Sequence, residues 1–157
     1  MKNKGFSLVE LIIVIAIMAI LAAAIAPALI RYIDKSRRSD DVAAAETLNT
    51  ATQAAFSNED AYDEVQGNFP SDASDTIALA EASEGGKFSK KYTASTSVFI
   101  DEINSSNADK APSFKYKKNS PDKWVVGANG AGKPVVWIVT TSSKSIELQP
   151  SIDKSYK

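Results

Sequence analysis

Residues 6–30 read FSLVELIIVIAIMAILAAAIAPALI, and this stretch decides the architecture of the chain. Its last twenty residues, 11–30, carry no charged side chain. A helix of that length can cross the roughly 30 Å of hydrocarbon in a bilayer. Small side chains, which allow close helix packing, gather in its second half at Ala22, Ala23, Ala24, Ala26 and Ala28. The sequence therefore predicts a membrane-spanning helix that neighbouring helices can approach closely.

Two residues of this helix are unusual for a simple membrane anchor. Glu10 stands near the start of the apolar run, where a charge that is deep and alone is costly. We expect it either to lie at headgroup depth, where it favours the helix dipole, or to pair with a cation. Pro27 removes one backbone hydrogen bond and crowds the preceding turn, so it predicts a kink or local unwinding.

The composition argues against catalysis. The 157 residues have the length of one ordinary domain with an added segment. There is no Cys, which excludes disulfides, thiolate metal sites and a cysteine nucleophile. There is also no His, which removes the commonest general base and the commonest metal ligand. We therefore predict that the chain is not an enzyme and has no catalytic residue, no cofactor and no metal.

Charge is distributed unevenly along the chain. Residues 39–86 hold eleven acidic and no basic side chains, whereas residues 87–157 hold twelve lysines and six acidic side chains. The lysines are scattered and not clustered with Arg, which argues against nucleic-acid binding. Two interpretations stay open: the lysines form a solvated sheet face, or the acidic and basic surfaces of neighbouring copies meet.

An ordinary secretory signal peptide is a competing interpretation of the N-terminus. Lys2 and Lys4 precede the apolar run, and the small residues at 24–26 or 26–28 could form a cleavage site that releases a soluble binding module. Three features argue against it: Glu10 interrupts the start of the run, the run exceeds the usual 7–15 residues, and the helical pattern continues beyond it.

Residues 5–10, GFSLVE, followed by a long apolar helix and preceded by a short Lys-containing leader, resemble the prepilin motif of the type IV pilins. The resemblance implies that a prepilin peptidase cuts between Gly5 and Phe6 and that Phe6 is then N-methylated. It also implies that Glu10 pairs with the N-terminal ammonium of a neighbouring subunit during assembly. Pro27 falls where the family often has a helix-breaking proline, which is associated with packing in the filament.

The same resemblance implies a function. The chain would be the structural subunit, a major pilin, of a type IV pilus used for adhesion, twitching motility or related surface functions. It would form a homopolymer through the pilus assembly machinery, from a precursor that crosses the cytoplasmic membrane once to an extracellular filament. A pseudopilin of a type II secretion or competence (DNA-uptake) system is the alternative, because it is similar over the first thirty residues.

The predicted domains are a leader at 1–5, a transmembrane and filament-core helix at 6–30, and a head at 31–157. At the junction, acidic and basic side chains predict a charged collar at the membrane interface or filament surface: Arg31, Asp34, Lys35, Arg37, Arg38, Asp40 and Asp41. Spacing of i, i+4, i+7 and i+11 predicts that the helix continues to about residue 58 with one apolar stripe, formed by Ala44, Leu48, Ala51 and Ala55, with Phe56 beside them. At 1.5 Å per residue such a helix is roughly 80 Å long, so we expect half of it to protrude from the head.

The head is predicted to be α+β, with half of the long helix packed under an antiparallel sheet of about four to five strands. We expect a short helix from Ser74 to Glu84 that ends at Gly85 and Gly86. Alternation and turn residues predict strands at 87–93, 98–103, 113–117, 123–126 with 133–140 as a hairpin around a loop at 127–134, and 146–149. The strand at 133–140 is apolar on both faces, which is typical of a strand with neighbours on both sides.

Three further features bear on possible sites. Many pilins close the C-terminal region with a disulfide, so here sheet hydrogen bonds and packing must hold that region instead. Asn104 begins an N-glycosylation sequon, Asn-Ser-Ser, which often arises by chance. Four carboxylates lack the regular spacing of a calcium loop, so no calcium site is predicted: Asp101, Glu102, Asp109 and Asp122.

Overall fold

The computed structural model describes residues 5–90 and 97–157. The chain divides into two compact units, Met1–Ser36 and Arg37–Lys157. In chain order the elements are α1 (Leu8–Ser57), α2 (Glu59–Gln66), β1 (Thr76–Ser83), β2 (Ser89–Lys90), α3 (Ser97–Ser106), β3 (Pro121–Asn129), β4 (Pro134–Thr140), β5 (Ser145–Gln149) and a 3-10 turn at Lys154–Tyr156. The predicted α+β class and the long N-terminal helix are confirmed.

One face of α1 contributes to the hydrophobic core of the second unit. Leu48, Ala51 and Ala55 of the predicted stripe are buried, while Ala44 and Phe56 are half-buried beside them. The buried positions of α1 recur at intervals of three and four residues, as expected for one face of a helix: Asp41, Ala45, Leu48, Ala51, Thr52 and Ala55.

The five strands form one antiparallel sheet in the order β2-β1-β3-β4-β5. The predicted hairpin and the last strand are confirmed as β3, β4 and β5, and β4 has a neighbour on each side. Side chains of Trp124, Val126, Val136 and Ile138 belong to the core, and the residues between them point to the other face of the sheet.

The prediction of a helix from Ser74 to Glu84 is wrong, because residues 76–83 of this segment form strand β1. Its Ala, Leu and Glu residues favour a helix locally, but pairing with β3 places Leu79, Ala80 and Ala82 in the core. The pairing gives those side chains a buried environment that a solvated helix would not, and the tertiary context therefore overrides the propensity.

The prediction of a strand at 98–103 is also wrong, because this segment belongs to helix α3. Phe99 and Ile103 lie four residues apart, so a helix brings both to one face, and both are completely buried. The carboxylate of Glu64 accepts a hydrogen bond from the Phe99 amide at 3.2 Å and so occupies one free donor of the first turn. Glu64 lies on α2, a helix that sequence analysis missed although Asn58 is an N-cap residue for it.

Two other expected strands differ in extent. Residues 113–117 are irregular, although Phe114 is buried and Lys115 exposed as the alternation predicted. Of the strand predicted at 87–93, Ser89 and Lys90 form β2. Residues 91–93 lie outside the described residues.

The loop expected at 127–134 is shorter, because Gly127 remains in β3 opposite Ala78 and Val135. A Cβ on Gly127 would lie 1.9 Å from the carbonyl oxygen of Ile77. The glycine is therefore required by a close approach of two strands and does not mark a turn.

Candidate functional site

The part of α1 that lies in the first unit presents mainly apolar side chains to its surroundings. Every exposed large hydrophobic side chain in the described part of the chain falls within residues 6–33, from Phe6 at 82% exposure to Ile33 at 41%. Helix α1 is also the one described helix that is long and apolar enough to cross a membrane. An apolar surface this long is unfavourable in water and must be covered by lipid or by other protein chains.

Glu10 caps the helix on which it stands. Because α1 begins at Leu8, Ser7 is its N-cap residue and Glu10 the third helical residue, and Oε2 of Glu10 accepts a hydrogen bond from the Ser7 amide at 2.9 Å. This is one of the two hydrogen bonds of a capping box, for which Ser-x-x-Glu before an apolar run is the sequence signal. Glu10 is exposed, so its second oxygen faces the surroundings.

Pro27 lies inside α1 without interrupting it. A kink or local unwinding was predicted here; the helix continues from Leu8 to Ser57, so the unwinding is absent. Proline has no amide hydrogen, and the carbonyl four residues earlier, at Ala23, therefore lacks its usual helical donor. The position remains a weak point in the hydrogen-bond ladder.

Gly5 and Phe6 precede the helix. Both are exposed and neither belongs to a helix or strand, so the peptide bond between them lies in irregular chain before the first turn of α1. A peptide bond outside regular structure can adapt to the cleft of a peptidase, and this placement is compatible with cleavage there. The rest of the expected leader, residues 1–4, lies outside the described residues.

The charged residues predicted to form a collar at 31–41 do not all lie at the surface. Arg31, Lys35 and Arg37 are exposed as predicted, but Asp41 is completely buried within the second unit. The prediction that Asp41 is exposed was wrong, because a carboxylate next to another carboxylate normally remains solvated and the sequence does not show the distant donors that allow its burial.

The partners of Asp41 come from the far end of the chain. Oδ1 accepts a hydrogen bond from the Lys115 amide at 2.7 Å, and Oδ2 accepts one from the Tyr116 amide at 3.0 Å. The hydroxyl of Tyr156 also lies 3.3 Å from Oδ2, and Tyr156 itself is buried. Asp41 thus joins α1 to an irregular segment and to the C-terminus, which a buried carboxylate can do only if its oxygens are hydrogen-bonded.

Arg38 holds the same end of the chain from one turn earlier. Its Nη1 donates a hydrogen bond to the carbonyl oxygen of Lys157 at 2.7 Å, and its guanidinium lies 5.3 Å from the ring centroid of Tyr116. The rings of Tyr116 and Tyr156 meet edge to face at 5.6 Å. We call Arg38, Asp41, Tyr116 and Tyr156 the C-terminal anchor. It is a noncovalent contact that ties the C-terminus of this cysteine-free chain to α1. Sequence analysis placed Arg38 and Asp41 in the charged collar and did not predict their pairing with Tyr116 and Tyr156.

Burial determines how the anchor titrates. Removal from water raises the pKa of Asp41 above its ordinary value, against the lowering effect of the Lys115 and Tyr116 amides and the Tyr156 hydroxyl. Burial, followed by the charge of Asp41, likewise raises the pKa of Tyr156. The raised pKa of Asp41 means that the folded protein binds this proton more tightly than the unfolded chain does.

We therefore expect Asp41 to contribute more stability in acid than at neutral pH. For a raised pKa the contribution is fully present below the unfolded value of 3.8 and is lost as pH rises through the folded value. The difference in unfolding free energy between wild type and Asp41→Asn should grow as pH falls from about 7 to about 4, by roughly 1.4 kcal/mol for each unit of pKa elevation. Denaturant unfolding of the full chain in detergent micelles measures it, with Glu46→Gln on the exposed face of α1 as control. A difference that shrinks in acid would contradict a raised pKa for Asp41.

The glycosylation sequon at Asn104 is poorly placed for modification. Asn104 is buried on α3, and its side-chain amide donates to the carbonyl of Phe88 at 3.0 Å, so the atom that would carry a sugar is occupied. Within residues 5–90 and 97–157 no three acidic side chains come together as a metal site.

Ion pairs within the described residues join the acidic and basic parts of the chain, among them Lys123 with Glu81 at 2.8 Å and Lys117 with Glu84 at 3.6 Å. Some of the acidic and basic side chains that could have met between neighbouring copies are therefore paired within one head.

Comparison with known proteins finds one matching family model and several similar chains. The family model "Prokaryotic N-terminal methylation motif" matches residues 1–26. The chain is 34% identical to the type IV major pilin protein PilE of Neisseria gonorrhoeae over 69% of its own length and 60% of the relative. It is 31% identical to the type IV major pilin protein PilA of Myxococcus xanthus, over 83% of this chain and 54% of that one. Identity to PilE1 of Neisseria gonorrhoeae is 30%, over 80% of this chain and 69% of the relative.

The chain thus spans about 60% and 54% of the lengths of the first two of these relatives. No solved structure matches it.

Proposed function

The chain belongs to the type IV pilins, and from this premise we propose that it is the structural subunit, a major pilin, of an extracellular filament. Its precursor crosses the cytoplasmic membrane once through α1. Prepilin peptidase removes residues 1–5 by cutting between Gly5 and Phe6, and Phe6 is N-methylated. The pilus assembly machinery then polymerises the mature chains into a surface filament used for adhesion or motility. The division into a leader at 1–5, a filament-core helix at 6–30 and a head at 31–157 is part of this proposal.

The observation that carries the proposal is the exposed apolar surface at 6–33. The described core cluster of the head is made from residues between Ala45 and Tyr156, so none of these apolar side chains contributes to it. Such a surface is stable in lipid before assembly and among the same helices of other copies afterwards. The run of alanines at 22–28 supports the second environment, because small side chains let helices approach closely.

Glu10 is proposed to set the register of assembly. In an apolar filament core an unpaired carboxylate is costly, and it is stabilised when a cation and hydrogen-bond donors surround it. The Ser7 amide already supplies one donor to Oε2. Cleavage before Phe6 would create an ammonium group one residue from Ser7, on this chain and on each neighbour. Pairing with the ammonium of a neighbour places each subunit at a defined height, whereas pairing within one chain would not.

Pro27 is proposed to permit a change in α1 during packing. Because Pro27 cannot donate to the carbonyl of Ala23, this turn is easier to loosen than its neighbours, and neighbouring chains or water can then satisfy its backbone groups. No catalytic role is proposed: the sequence contains no His and no Cys, and the family to which it belongs is structural. The relatives are named as major pilins, which favours a pilus subunit over a pseudopilin.

The proposal is tested in cells that contain a prepilin peptidase and the assembly machinery. Mass spectrometry of the mature wild-type chain should find an N-methylated Phe6 as the first residue. Glu10→Ala should still be inserted and cleaved, but the filaments recovered by shearing should fall about tenfold or more, because each subunit then contributes an unpaired ammonium to an apolar core.

Glu46→Ala is the matched control, since it removes an exposed carboxylate from the same helix and should leave filament yield unchanged. Normal-length filaments from Glu10→Ala would end the register hypothesis. A mature chain that starts near Pro27 would instead support cleavage by signal peptidase and a soluble binding module.

A further inference from the structure

The face of the sheet turned away from the core carries a groove of about 700 Å³. Its floor is apolar and consists of Ala78 from β1 with Val135, Trp137 and Val139 from β4. Its rim is polar, with hydroxyl groups and two carboxylates supplied by Thr76, Ser143, Ser145, Glu147 and Asp153. The groove belongs entirely to the head, and neither the C-terminal anchor nor the proposed assembly segment uses it.

The floor of the groove is shaped by a glycine. Gly127 lies between Ala78 and Val135 in the sheet, and a Cβ added to it would stand 2.9 Å from Cη2 of Trp137. The indole therefore lies across β3 where a side chain would otherwise project. Trp137 is half-buried, so the ring is held in place and still presents apolar surface to the groove.

The two carboxylates of the rim are held by neighbouring serines. Oε1 of Glu147 accepts a hydrogen bond from the Ser151 hydroxyl at 2.8 Å. Oδ1 of Asp153 accepts one from the Ser155 amide at 2.8 Å and one from the Ser155 hydroxyl at 2.7 Å. Among the described residues, the second oxygen of each carboxylate has no hydrogen-bond partner. Each is an acceptor of fixed position next to an aromatic surface.

Local charge favours a neutral ligand over a cationic one. The Ser155 amide and hydroxyl, and then the positive charges of Lys144 and Lys154, lower the pKa of Asp153 below its ordinary value. Asp153 is thus ionised at neutral pH, and the positive charges of these two lysines offset its negative charge. A cation would gain little net attraction there, whereas hydroxyl groups can donate to carboxylate oxygens whatever the net charge.

We propose that this groove binds a neutral oligosaccharide, with the apolar face of one sugar ring on Trp137 and its hydroxyls donating to Glu147 and Asp153. A sugar ring offers the combination that the groove requires, an apolar face bordered by hydroxyl donors. Contact between an aromatic ring and such an apolar face is favourable, and a hydrogen bond to a charged acceptor is stronger than one to a neutral acceptor. Repetition of a weak site along a filament would raise the overall avidity, and this last point alone rests on the proposed function.

The test measures retention of the full chain, in detergent micelles, on immobilised neutral oligosaccharides that end in galactose, N-acetylglucosamine or mannose. We expect at least one of them to retain the wild type. Trp137→Ala should weaken that retention about tenfold, equivalent to about 1.4 kcal/mol. Glu147→Gln keeps an oxygen for Ser151 and should weaken it several-fold. Glu59→Gln, the same change at an exposed position on α2, should leave it unchanged.

Near-ultraviolet circular dichroism of each variant separates loss of the groove from loss of the fold, and Glu147→Gln is decisive if Trp137→Ala does not fold. The proposal is overturned if none of the three glycans retains the wild type, or if folded Glu147→Gln and Trp137→Ala bind as the wild type does. Retention on immobilised polylysine without retention on glycans would also overturn it, in favour of a cationic protein partner. Because these measurements use unassembled chains, they succeed or fail independently of filament formation.

Discussion

Trp124→Ala is expected to lower the free energy of unfolding by about 3–5 kcal/mol. Trp124 is completely buried, its ring stacks on that of Phe114 with centroids 4.9 Å apart, and its indole N–H donates to the carbonyl of Pro112 at 2.8 Å. Truncation leaves a large cavity, removes the stacking and leaves a carbonyl without its donor. Denaturant unfolding of the full chain in detergent micelles, followed by near-ultraviolet circular dichroism, measures the loss.

Trp137→Ala is the control for this variant, because it removes the same side chain from the other face of the sheet. Trp137 is only half-buried, so we expect the loss there to be about half as large or less. Equal losses at the two positions would contradict the assignment of Trp124 to the core and of Trp137 to the groove.

Asp41→Ala is expected to lower the free energy of unfolding by about 3 kcal/mol and to release the C-terminus. The amides of Lys115 and Tyr116 lose their acceptor, as does the hydroxyl of Tyr156. Each unsatisfied group costs about 1–3 kcal/mol when it stays buried. Release of the C-terminus should appear as faster removal of Lys157 and Tyr156 by carboxypeptidase, measured by mass spectrometry.

Asp40→Ala provides the matched control, because it removes a neighbouring carboxylate that is exposed on the same helix. It should change the unfolding free energy by less than about 0.5 kcal/mol. Similar digestion rates for Asp41→Ala and Asp40→Ala would show that the anchor does not hold the C-terminus.

The C-terminal anchor ties α1 to the C-terminus of this chain without a covalent bond. Its hydrogen bonds span long stretches of the chain: Asp41 and Tyr156 are separated by 115 positions, and Arg38 and Lys157 by 119. A contact across so long a loop must offset a large closure entropy, and here several contacts do so together: a buried carboxylate, an edge-to-face pair of aromatic rings and an arginine. Unlike a disulfide, the anchor needs no oxidising compartment to form.

The candidate site was predictable where its signal is local. A short motif next to an apolar run predicts Gly5, Phe6 and Glu10 as cleavage and assembly residues, and the cap that Glu10 forms could have been found from Ser-x-x-Glu. Asp41 could not be found in this way, because its three donors lie more than seventy residues away. The groove was hidden for the same reason, since Trp137, Gly127 and Asp153 share no pattern in the chain.

The sequence by itself determined the long helix, its apolar first half, the β3-β4-β5 meander and membership of the pilin family. These depend on interactions between residues near one another, and on hydrophobic periodicity, which is written directly in the order of side chains. Only the tertiary structure decided that residues 76–83 form a strand, that residues 97–106 form a helix and that Asp41 is buried. In each case the local preference is weak or opposite, and contacts with distant segments contribute more free energy than the propensity of a few residues.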